Sequence, residues 1–232
     1  MRLGLVDPFL LKGRGDKDNG PSMRPAALPV VVWLVALIGF AVLAGFAAAY
    51  DTFPADIWLA RRIQEIDSAA FARAVDWAED LADAPLMIAV WLASAAGLFA
   101  VARRGEALLL LVSMAVRLVN SGVKELVERP RPSPELVQVS HDSGTFSFPS
   151  GHAEGAIVLY GLLAYFAGLL IPYLPLRLLV QAACLWVIVF TCLERVYVGA
   201  HWPSDVAGGL YFGGLALAAL IGIHRGLSRS RG

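Results

Sequence analysis

The feature that most constrains this chain is a set of six apolar segments separated by polar connections. Hydrophobic residues make up 58% of the 232 residues, more than the roughly half expected of a soluble domain, and they are concentrated in these segments. Each segment is about long enough to cross a hydrocarbon core of ~30 Å as an α-helix. The segments cover residues 27–50, 84–101, 107–123, 155–173, 176–193 and 206–223. The sequence therefore predicts an all-α membrane protein with six transmembrane helices in a bundle.

Basic residues near the segment ends predict the orientation of the bundle. If six helices alternate, most of these residues fall on one side, which is then the cytoplasmic side, and both termini lie there. Arg61, Arg62 and Arg73 fall on the opposite side and weaken the asymmetry without reversing it. The residues on the expected cytoplasmic side are Arg2, Lys12, Arg14, Lys17, Arg24, Arg103, Arg104, Arg177, Arg225, Arg229 and Arg231.

The same pattern predicts how the chain is divided. A cytoplasmic N-terminal tail at 1–26 precedes a six-span domain at 27–224, and a cytoplasmic C-terminal tail follows at 225–232. We expect a multi-pass protein of the inner or plasma membrane. Its periplasmic or extracellular face would carry the segments 51–83, 125–152 and 194–205.

The segment 51–83, between spans one and two, contains an amphipathic pattern. Phe71, Val75, Ala78 and Leu81 follow one another at a spacing of three to four, with charged residues between them. This pattern predicts an amphipathic helix on the membrane surface. Such a helix could pack on the ends of the bundle or contribute to substrate recognition.

Two features at the N-terminus leave alternatives open. The stretch "GFAAAYD", which ends at Asp51, resembles a signal-peptidase site, but the apolar run before it is longer than a signal-peptide core, so we expect it to be retained as a span. The polar stretch before Met23 is either a tail or lies upstream of the true start at Met23.

Charge and cysteine content exclude some functions. The formal net charge is zero, which gives a nucleic-acid partner no electrostatic support. Cys184 and Cys192 lie about 12 Å apart along one helix, too far for a disulfide, and are therefore expected to be buried thiols.

The first polar cluster on the outer face comprises Lys124, Arg129 and Arg131. On a helix, residues seven apart differ by about 20° in direction and residues five apart by about 140°, which favours Arg131 as the partner of Lys124. However, the proline after Arg129 ends the helix near Glu128, and an extended chain could point both arginines the same way. Arg129 therefore stays a possible secondary site residue, for a second phosphate or a headgroup, unless it pairs with Glu125 or Glu128 in water.

The second cluster is "FPSGH", which ends at His152 directly before the fourth span. Ser150 is a candidate N-cap, with Gly151 and His152 in the first turn. The free N–H groups and positive dipole end of a helix start can bind an anion. His152 would then be placed to donate a proton to that anion.

The third cluster is "ERVYVGAHWPSD", between spans five and six. Pro203 is suited to the first position of a helix, which places Asp205 in the first turn. His201 precedes Asp205 by four residues, within reach of a hydrogen bond that would leave the other ring nitrogen free as nucleophile or base. Arg195 adds a cation at the same level.

Together the three clusters suit phosphoryl transfer. Cations hold the nonbridging oxygens, one histidine attacks the phosphorus, and another protonates the leaving oxygen. A metal site fits less well, because the clusters contain no group of acids for Mg²⁺ and the histidines lack the neighbours of a zinc site.

The order and spacing of these residues resemble the three-part signature of the type-2 phosphatidic acid phosphatase family. The motifs are Lys124-x6-Arg131-Pro132, then Pro149-Ser150-Gly151-His152, then Arg195-x5-His201-x3-Asp205. The resemblance covers roughly residues 27–224. It implies a six-span phosphatase that needs no metal or other cofactor.

The resemblance also implies roles for the residues. His201 would form a phosphohistidine, Asp205 would orient it, and His152 would protonate the leaving group and then activate water. Glu194 departs from the serine that often precedes the arginine in the third motif, and it could pair with Arg195 or a neighbouring cation, or repel phosphate. The phosphate would be held by Lys124, Arg131, Arg195, Ser150 and the amide of Gly151.

Other polar residues are expected to have supporting or solvated positions. Arg117 and Asn120 line the same face of span three as Lys124, and an arginine at this depth requires a partner. Glu154 and Glu194 are the candidates for that partner. Two further groups, His141 with Asp142 in the 133–148 loop and His224 in the tail, are expected to be solvated.

The expected activity is hydrolysis of a lipid phosphate or diphosphate on the outer face. Candidate substrates are undecaprenyl pyrophosphate, phosphatidylglycerol phosphate, phosphatidic acid and lipid A phosphate. A non-enzymatic lipid-binding scaffold or transporter of the same fold is the alternative. A vanadate-dependent haloperoxidase is a further alternative that the spans disfavour, because those relatives are soluble. The sequence does not predict an oligomeric state.

Overall fold

A computed structural model of the chain describes residues 27–140 and 144–229. The described residues form helices and no strands, which confirms the all-α prediction. The helices are α1 (Ala27–Ala49), α2 (Asp56–Gln64), α3 (Ala69–Ala82), α4 (Ala84–Ala100), α5 (Arg104–Ser113), α6 (Ala115–Val127), α7 (Gly151–Leu170), α8 (Leu174–Tyr197) and α9 (Pro203–Arg229).

The chain divides into two units, Met1–Val35 and Ala36–Gly232. The described residues of the first unit form the start of α1. The packing and the site described below belong to the second unit.

Within the described residues, five spans are long and apolar enough to cross a membrane, and α3 with α4 gives a sixth if this pair, bent by 64°, is a single span. The third predicted span consists of α5 and α6, which meet at Met114. The last span continues to Arg229, so the predicted C-terminal tail is helical over most of its length.

Helix α7 lies at the centre and packs most extensively against α8 and α9. Its approach to α9 depends on glycine, because a Cβ at Gly209 would lie 2.4 Å from the carbonyl oxygen of Ser150. A Cβ at Gly213 would lie 2.5 Å from Cγ2 of Ile157. Small residues at such a crossing let two backbones approach closely, and here they hold the start of α7 against the start of α9.

The apolar core lies away from the polar connections. Trp91, Leu110, Leu159 and Leu162 are almost fully buried there. The indole of Trp91 donates to the hydroxyl of Ser113 at 3.0 Å, so the one polar atom of this side chain is satisfied within the core. This packing fixes α4, α5 and α7 beneath the site.

The amphipathic segment between spans one and two contains two helices, α2 and α3. In α3, Val75 and Ala78 are buried, and the helix packs against α8. Helix α2 is fixed by Arg61, whose guanidinium donates to the carbonyl oxygen of Leu136 at 2.9 Å. Packing on the bundle is therefore observed, while a position on the membrane surface stays a prediction.

Two groups of residues were expected to be solvated, and the structure describes only one of them. His224 is not in a solvated tail, because α9 continues past it and its Nδ1 lies 2.9 Å from the hydroxyl of Tyr165. His141 and Asp142 lie outside the described residues, as does the predicted N-terminal tail at 1–26 with both candidate starts. Cys184 and Cys192 are free thiols, the first buried and the second half-buried.

Candidate active site

The three predicted clusters meet at one end of the bundle. The amide of Ser150 donates to the carbonyl oxygen of Asp205 at 3.0 Å, which joins the second cluster to the third. Arg131 Nη1 lies 3.3 Å from His201 Nε2, which joins the first cluster to the third. Residues from two connections, the one between α6 and α7 and the one between α8 and α9, therefore surround one imidazole ring.

His201 lies in the connection between α8 and α9 and is only 2% exposed. Its backbone amide donates to the carbonyl oxygen of Arg195 at 3.0 Å. Burial lowers the pKa of this histidine to about 4, a shift that the charges of Lys124 and Arg131 reinforce and the nearby carboxylate of Asp205 opposes. The ring is therefore neutral at pH 7 and keeps a nitrogen lone pair.

The carboxylate of Asp205 is held from several sides. Arg129 Nη1 donates to Oδ1 at 2.6 Å and the amide of Trp202 donates to Oδ2 at 2.8 Å. The expected direct hydrogen bond to His201 is not formed, since Nδ1 and Oδ2 are 3.7 Å apart. The Asp205 carboxylate instead accepts from the amide of Trp202, just before the start of its own helix. The hydroxyl of Ser147 donates to Oδ2 of Asp205 and lies 3.3 Å from Nδ1 of His201.

Arg129 occupies a position that the sequence did not predict. It is 1% exposed and pairs with Asp56 at 2.9 Å as well as with Asp205. The ring of Phe53 lies 4.6 Å from its guanidinium carbon. Both expected roles, a phosphate or headgroup contact and an ion pair with Glu125 or Glu128 in water, are therefore replaced by a buried ion pair.

The reason lies at the end of α6. The helix ends at Val127, and Glu128 adopts a left-handed conformation with φ of 52°. The chain therefore turns before the first arginine. Arg129 is directed to the carboxylate of Asp205, whereas Arg131 is directed to the imidazole of His201.

Lys124 is fixed by the loop before α7, and Arg131 is fixed by that loop and by the connection between α8 and α9. The ammonium of Lys124 donates to the carbonyl oxygen of Phe146 at 2.8 Å. The Nε of Arg131 donates to the carbonyl oxygen of Thr145 at 2.7 Å, and its Nη1 to that of Ala200 at 2.5 Å. Carbonyl oxygens thus orient two cations beside His201.

The start of α7 has the predicted geometry. Ser150 is the N-cap, and its hydroxyl accepts from the amide of Ala153 at 3.4 Å. A Cβ at Gly151 would lie 3.3 Å from Nδ2 of Asn120 and 4.0 Å from Cε of Lys124. The backbone at Gly151 therefore lies close to a side-chain amide and a cation, as an anion site at a helix start requires.

His152 and Arg195 line one cleft of about 270 Å³ together with three acidic residues of the α3–α4 region. Both carboxylate oxygens of Glu194 accept from Arg195, so this glutamate pairs with its neighbour, one of the two predicted outcomes. Arg195 Nη2 also lies 3.4 Å from Glu79 Oε1. The acidic residues of the cleft are Glu79, Asp80 and Asp83.

Arg117 lies below the helix start but does not form the expected ion pair. Its Nη1 donates to the carbonyl oxygen of Gly151 at 3.4 Å and lies 3.6 Å from the sulfur of Met87. Glu194 is engaged by Arg195, and both carboxylate oxygens of Glu154 lack a hydrogen-bond partner among the described residues. Gly155 makes room for the guanidinium, because a Cβ there would lie 2.3 Å from Nη1 of Arg117.

Several residues of the site were not predicted from the sequence. Ser147 lies three residues before the N-cap, and only its position in "FSFPSGH" could have marked it. Asp56 lies at the start of α2 and accepts from Arg129, from the amide of Ser204 at 3.0 Å and from its hydroxyl at 2.7 Å. No local pattern links Asp56 to residues more than seventy positions away.

Comparison with known proteins finds one matching family model and several similar phosphatases. The model of the PAP2 superfamily matches residues 106–229, which include all three clusters. Phosphatidylglycerophosphatase B of Bacillus subtilis is 34% identical over 138 residues, which are 59% of this chain and 66% of that protein. Lipid A 1-phosphatase of Rhizobium etli is 37% identical over 105 residues, 42% of this chain and 40% of that protein.

A mycobacterial relative and a solved structure extend these similarities. Decaprenylphosphoryl-5-phosphoribose phosphatase of Mycobacterium tuberculosis is 34% identical over 110 residues, 47% of this chain and 55% of that protein. The matched regions thus span two thirds or less of these curated relatives. The crystal structure of a transmembrane PAP2-type phosphatidylglycerolphosphate phosphatase from Bacillus subtilis superposes with a TM-score of 0.72 at 26% identity, over 83% of this chain and 96% of that one.

Proposed function

Because the chain belongs to the PAP2 superfamily, we propose that it is a membrane-embedded phosphatase that hydrolyses a lipid phosphate through a phosphohistidine at His201. The observation that carries this proposal is the position of His201 Nε2, which lies 3.3 Å from a guanidinium nitrogen of Arg131. A neutral imidazole nitrogen beside a cation suits attack on a phosphate whose oxygens that cation holds.

The reaction proceeds in two displacements. The lone pair of His201 Nε2 forms a bond to phosphorus while the bond from phosphorus to the lipid oxygen breaks, and His152 donates a proton to that oxygen. Water then attacks the phosphohistidine, its proton returns to His152, and the P–N bond breaks to release inorganic phosphate. Lys124, Arg131 and Arg195, with the start of α7, stabilise the charge on the phosphate oxygens in both steps.

The membrane setting supports a lipid substrate, since the polar headgroup would meet the helix ends while the chain stays among apolar helices. Relatives named for phosphatidylglycerophosphate, lipid A and decaprenylphosphoryl-phosphoribose support the same class. Phosphatidylglycerol phosphate, lipid A phosphate, phosphatidic acid and undecaprenyl pyrophosphate are the candidate substrates. We place the site on the periplasmic or extracellular face and both termini in the cytoplasm.

The proposal is tested by phosphate release from these lipids with the purified protein in detergent and EDTA. We expect activity on at least one lipid, inhibition by vanadate, and loss of activity in His201→Ala. His224→Gln is the matched control, because this half-buried histidine hydrogen-bonds Tyr165 near the end of α9, away from the site. Full activity of His201→Ala, or no activity of the parent protein on any lipid, would exclude the proposed function.

A further inference from the structure

The hydroxyl of Ser147 lies between the nucleophile and the carboxylate that was expected to touch it. Ser147 is fully buried, and its backbone amide donates to the carbonyl oxygen of Arg129 at 2.8 Å. The ring of the next residue, Phe148, fills the space left by Gly208, where a Cβ would lie 2.3 Å from that ring. The loop therefore fixes the hydroxyl in one place.

The direction of the hydrogen bonds follows from the groups present. Asp205 accepts from the guanidinium of Arg129 and the amide of Trp202, as an ionised carboxylate does. A carboxylate only accepts, so the single proton of the Ser147 hydroxyl is donated to it. The oxygen of Ser147 can then only accept from His201 Nδ1, which must carry the ring proton.

The opposite side of the ring independently requires the same tautomer. A guanidinium has donors and no acceptor, and Arg131 Nη1 faces His201 Nε2 at 3.3 Å. Nε2 must therefore present a lone pair. Contacts from two different parts of the chain thus specify one protonation pattern.

We propose that Ser147 is a positioning residue that bridges His201 and Asp205, holds the ring as the Nδ1–H tautomer and directs the Nε2 lone pair at the phosphate. This inference rests on the proposed phosphatase function. When Nε2 bonds to phosphorus and the lipid oxygen leaves with the proton of His152, the ring keeps its Nδ1 proton and gains a positive charge. The hydrogen bond to Ser147 then strengthens, and the charge of Asp205 compensates that of the ring.

The first test needs no substrate. The protein labelled with ¹⁵N-histidine is observed by NMR near pH 7, with His201 assigned by comparison with His201→Gln. We expect a protonated Nδ1 and an unprotonated Nε2 at His201. A protonated Nε2 would overturn the inference, and this result would leave the proposed phosphatase activity open.

The second test measures Ser147→Ala on the lipid that the parent protein hydrolyses. We expect kcat to fall about 10- to 100-fold, as for a lost buried hydrogen bond, with little change in KM, and the two tautomers of His201 to mix. The control is Ser113→Ala, which also removes a fully buried hydroxyl but one that bonds to Trp91 and to the Leu110 carbonyl in the core.

The outcomes separate positioning from structural support. A low kcat with mixed tautomers in Ser147→Ala, together with normal kcat in Ser113→Ala, supports the inference. Normal kcat in Ser147→Ala overturns it, and so does a low kcat with the tautomer unchanged. A parent protein that releases no phosphate would instead refute the proposed function, and the tautomer measurement would still decide the inference.

Discussion

At the scale of single residues, the two consecutive Arg-Pro pairs have different environments. Arg129 is buried between two carboxylates, Asp56 and Asp205, whereas Arg131 is half-buried against backbone carbonyls and His201. A buried cation shared by two carboxylates holds the local structure, because its removal leaves buried charges unpaired. The half-buried cation beside the proposed nucleophile is placed to bind a phosphate.

The first prediction compares Arg129→Ala with Arg131→Ala. We expect Arg129→Ala to lower the free energy of unfolding by about 3–5 kcal/mol, because it leaves Asp56 and Asp205 without their cation. Arg131→Ala should unfold near the parent temperature but bind vanadate and phosphate more weakly. Thermal unfolding and vanadate inhibition measure the two effects, and equal unfolding temperatures would contradict the assignment.

The second prediction concerns pH. Burial lowers the pKa of His201 to about 4 from an ordinary value of 6.5, so the nucleophile stays neutral as the pH falls through 6.5. We expect kcat/KM to show its acid limb for His201 between roughly pH 4 and 5. The profile is measured on the parent protein and corrected for ionisation of the lipid phosphate by ³¹P NMR. If the corrected kcat/KM profile instead has its acid limb near pH 6.5, His201 is solvated and the prediction is wrong.

At the scale of helices, α3 and the residue that follows it supply acids to a cleft of the proposed phosphate site. Glu79 pairs with Arg195 at 3.4 Å, and Asp80 and Asp83 line the same cleft beside His152. A second phosphate placed in this cleft would meet these carboxylates. Neutral, hydroxyl-bearing headgroups would meet hydrogen-bond acceptors.

The third prediction is therefore a preference for monophosphate over diphosphate lipids. We expect Asp80→Asn with Asp83→Asn to raise kcat/KM for a diphosphate lipid relative to a monophosphate lipid by about 2- to 5-fold, the effect of exposed charges. Asp76→Asn is the control, because this exposed residue of α3 does not line the cleft. The prediction fails if the ratio of kcat/KM for the diphosphate lipid to that for the monophosphate lipid is the same in the parent protein, the double variant and Asp76→Asn.

The fourth prediction concerns the crossing of α7 and α9. In Gly209→Ala the new methyl group would clash with the carbonyl oxygen of Ser150, 2.4 Å away. We expect a loss of about 1–3 kcal/mol in stability and a larger loss of activity, because the starts of both helices carry site residues. Gly214→Ala is the matched control, since a Cβ there meets nothing within 4 Å. Thermal unfolding and phosphate release are measured in both variants, and equal losses in Gly209→Ala and Gly214→Ala would contradict the prediction.

At the scale of the whole molecule, the polar residues of the proposed site lie at one end of an apolar bundle. The opposite end carries Arg103 and Glu106 at the start of α5, near His224 of α9. In the sequence, basic connections mark the cytoplasmic side. The proposed orientation follows from this charge asymmetry.

The fifth prediction tests this orientation by labelling. Single cysteines replace Glu135 in the loop before α7 and Ser228 near the end of α9, both exposed, after Cys184 and Cys192 are changed to serine. In intact spheroplasts a membrane-impermeant maleimide should label position 135 and leave position 228 unlabelled until the membrane is permeabilised. Labelling of position 228 alone would place the proposed site in the cytoplasm.

The sequence by itself determined the helical class, the helix starts at Ser150 and Pro203 and the residues of the three clusters. These features are local, because a span is a continuous apolar run and helix starts such as Ser150 and Pro203 are marked within a few residues. The spacing of Lys124 to Arg131 and of His201 to Asp205 was likewise available without any structure.

Only the tertiary structure decided which side chains of the clusters contact one another and which contact distant residues such as Asp56. Arg129 reaches Asp56 across 73 positions, and Ser147 reaches Asp205 across 58, separations at which no periodicity operates. These contacts depend on the turn at Glu128, on the loop held by Phe148 and on the glycine crossing of α7 with α9. The physical reason is that helix formation is governed by neighbouring residues, whereas the orientation of a buried polar group is set by whichever distant partners satisfy it.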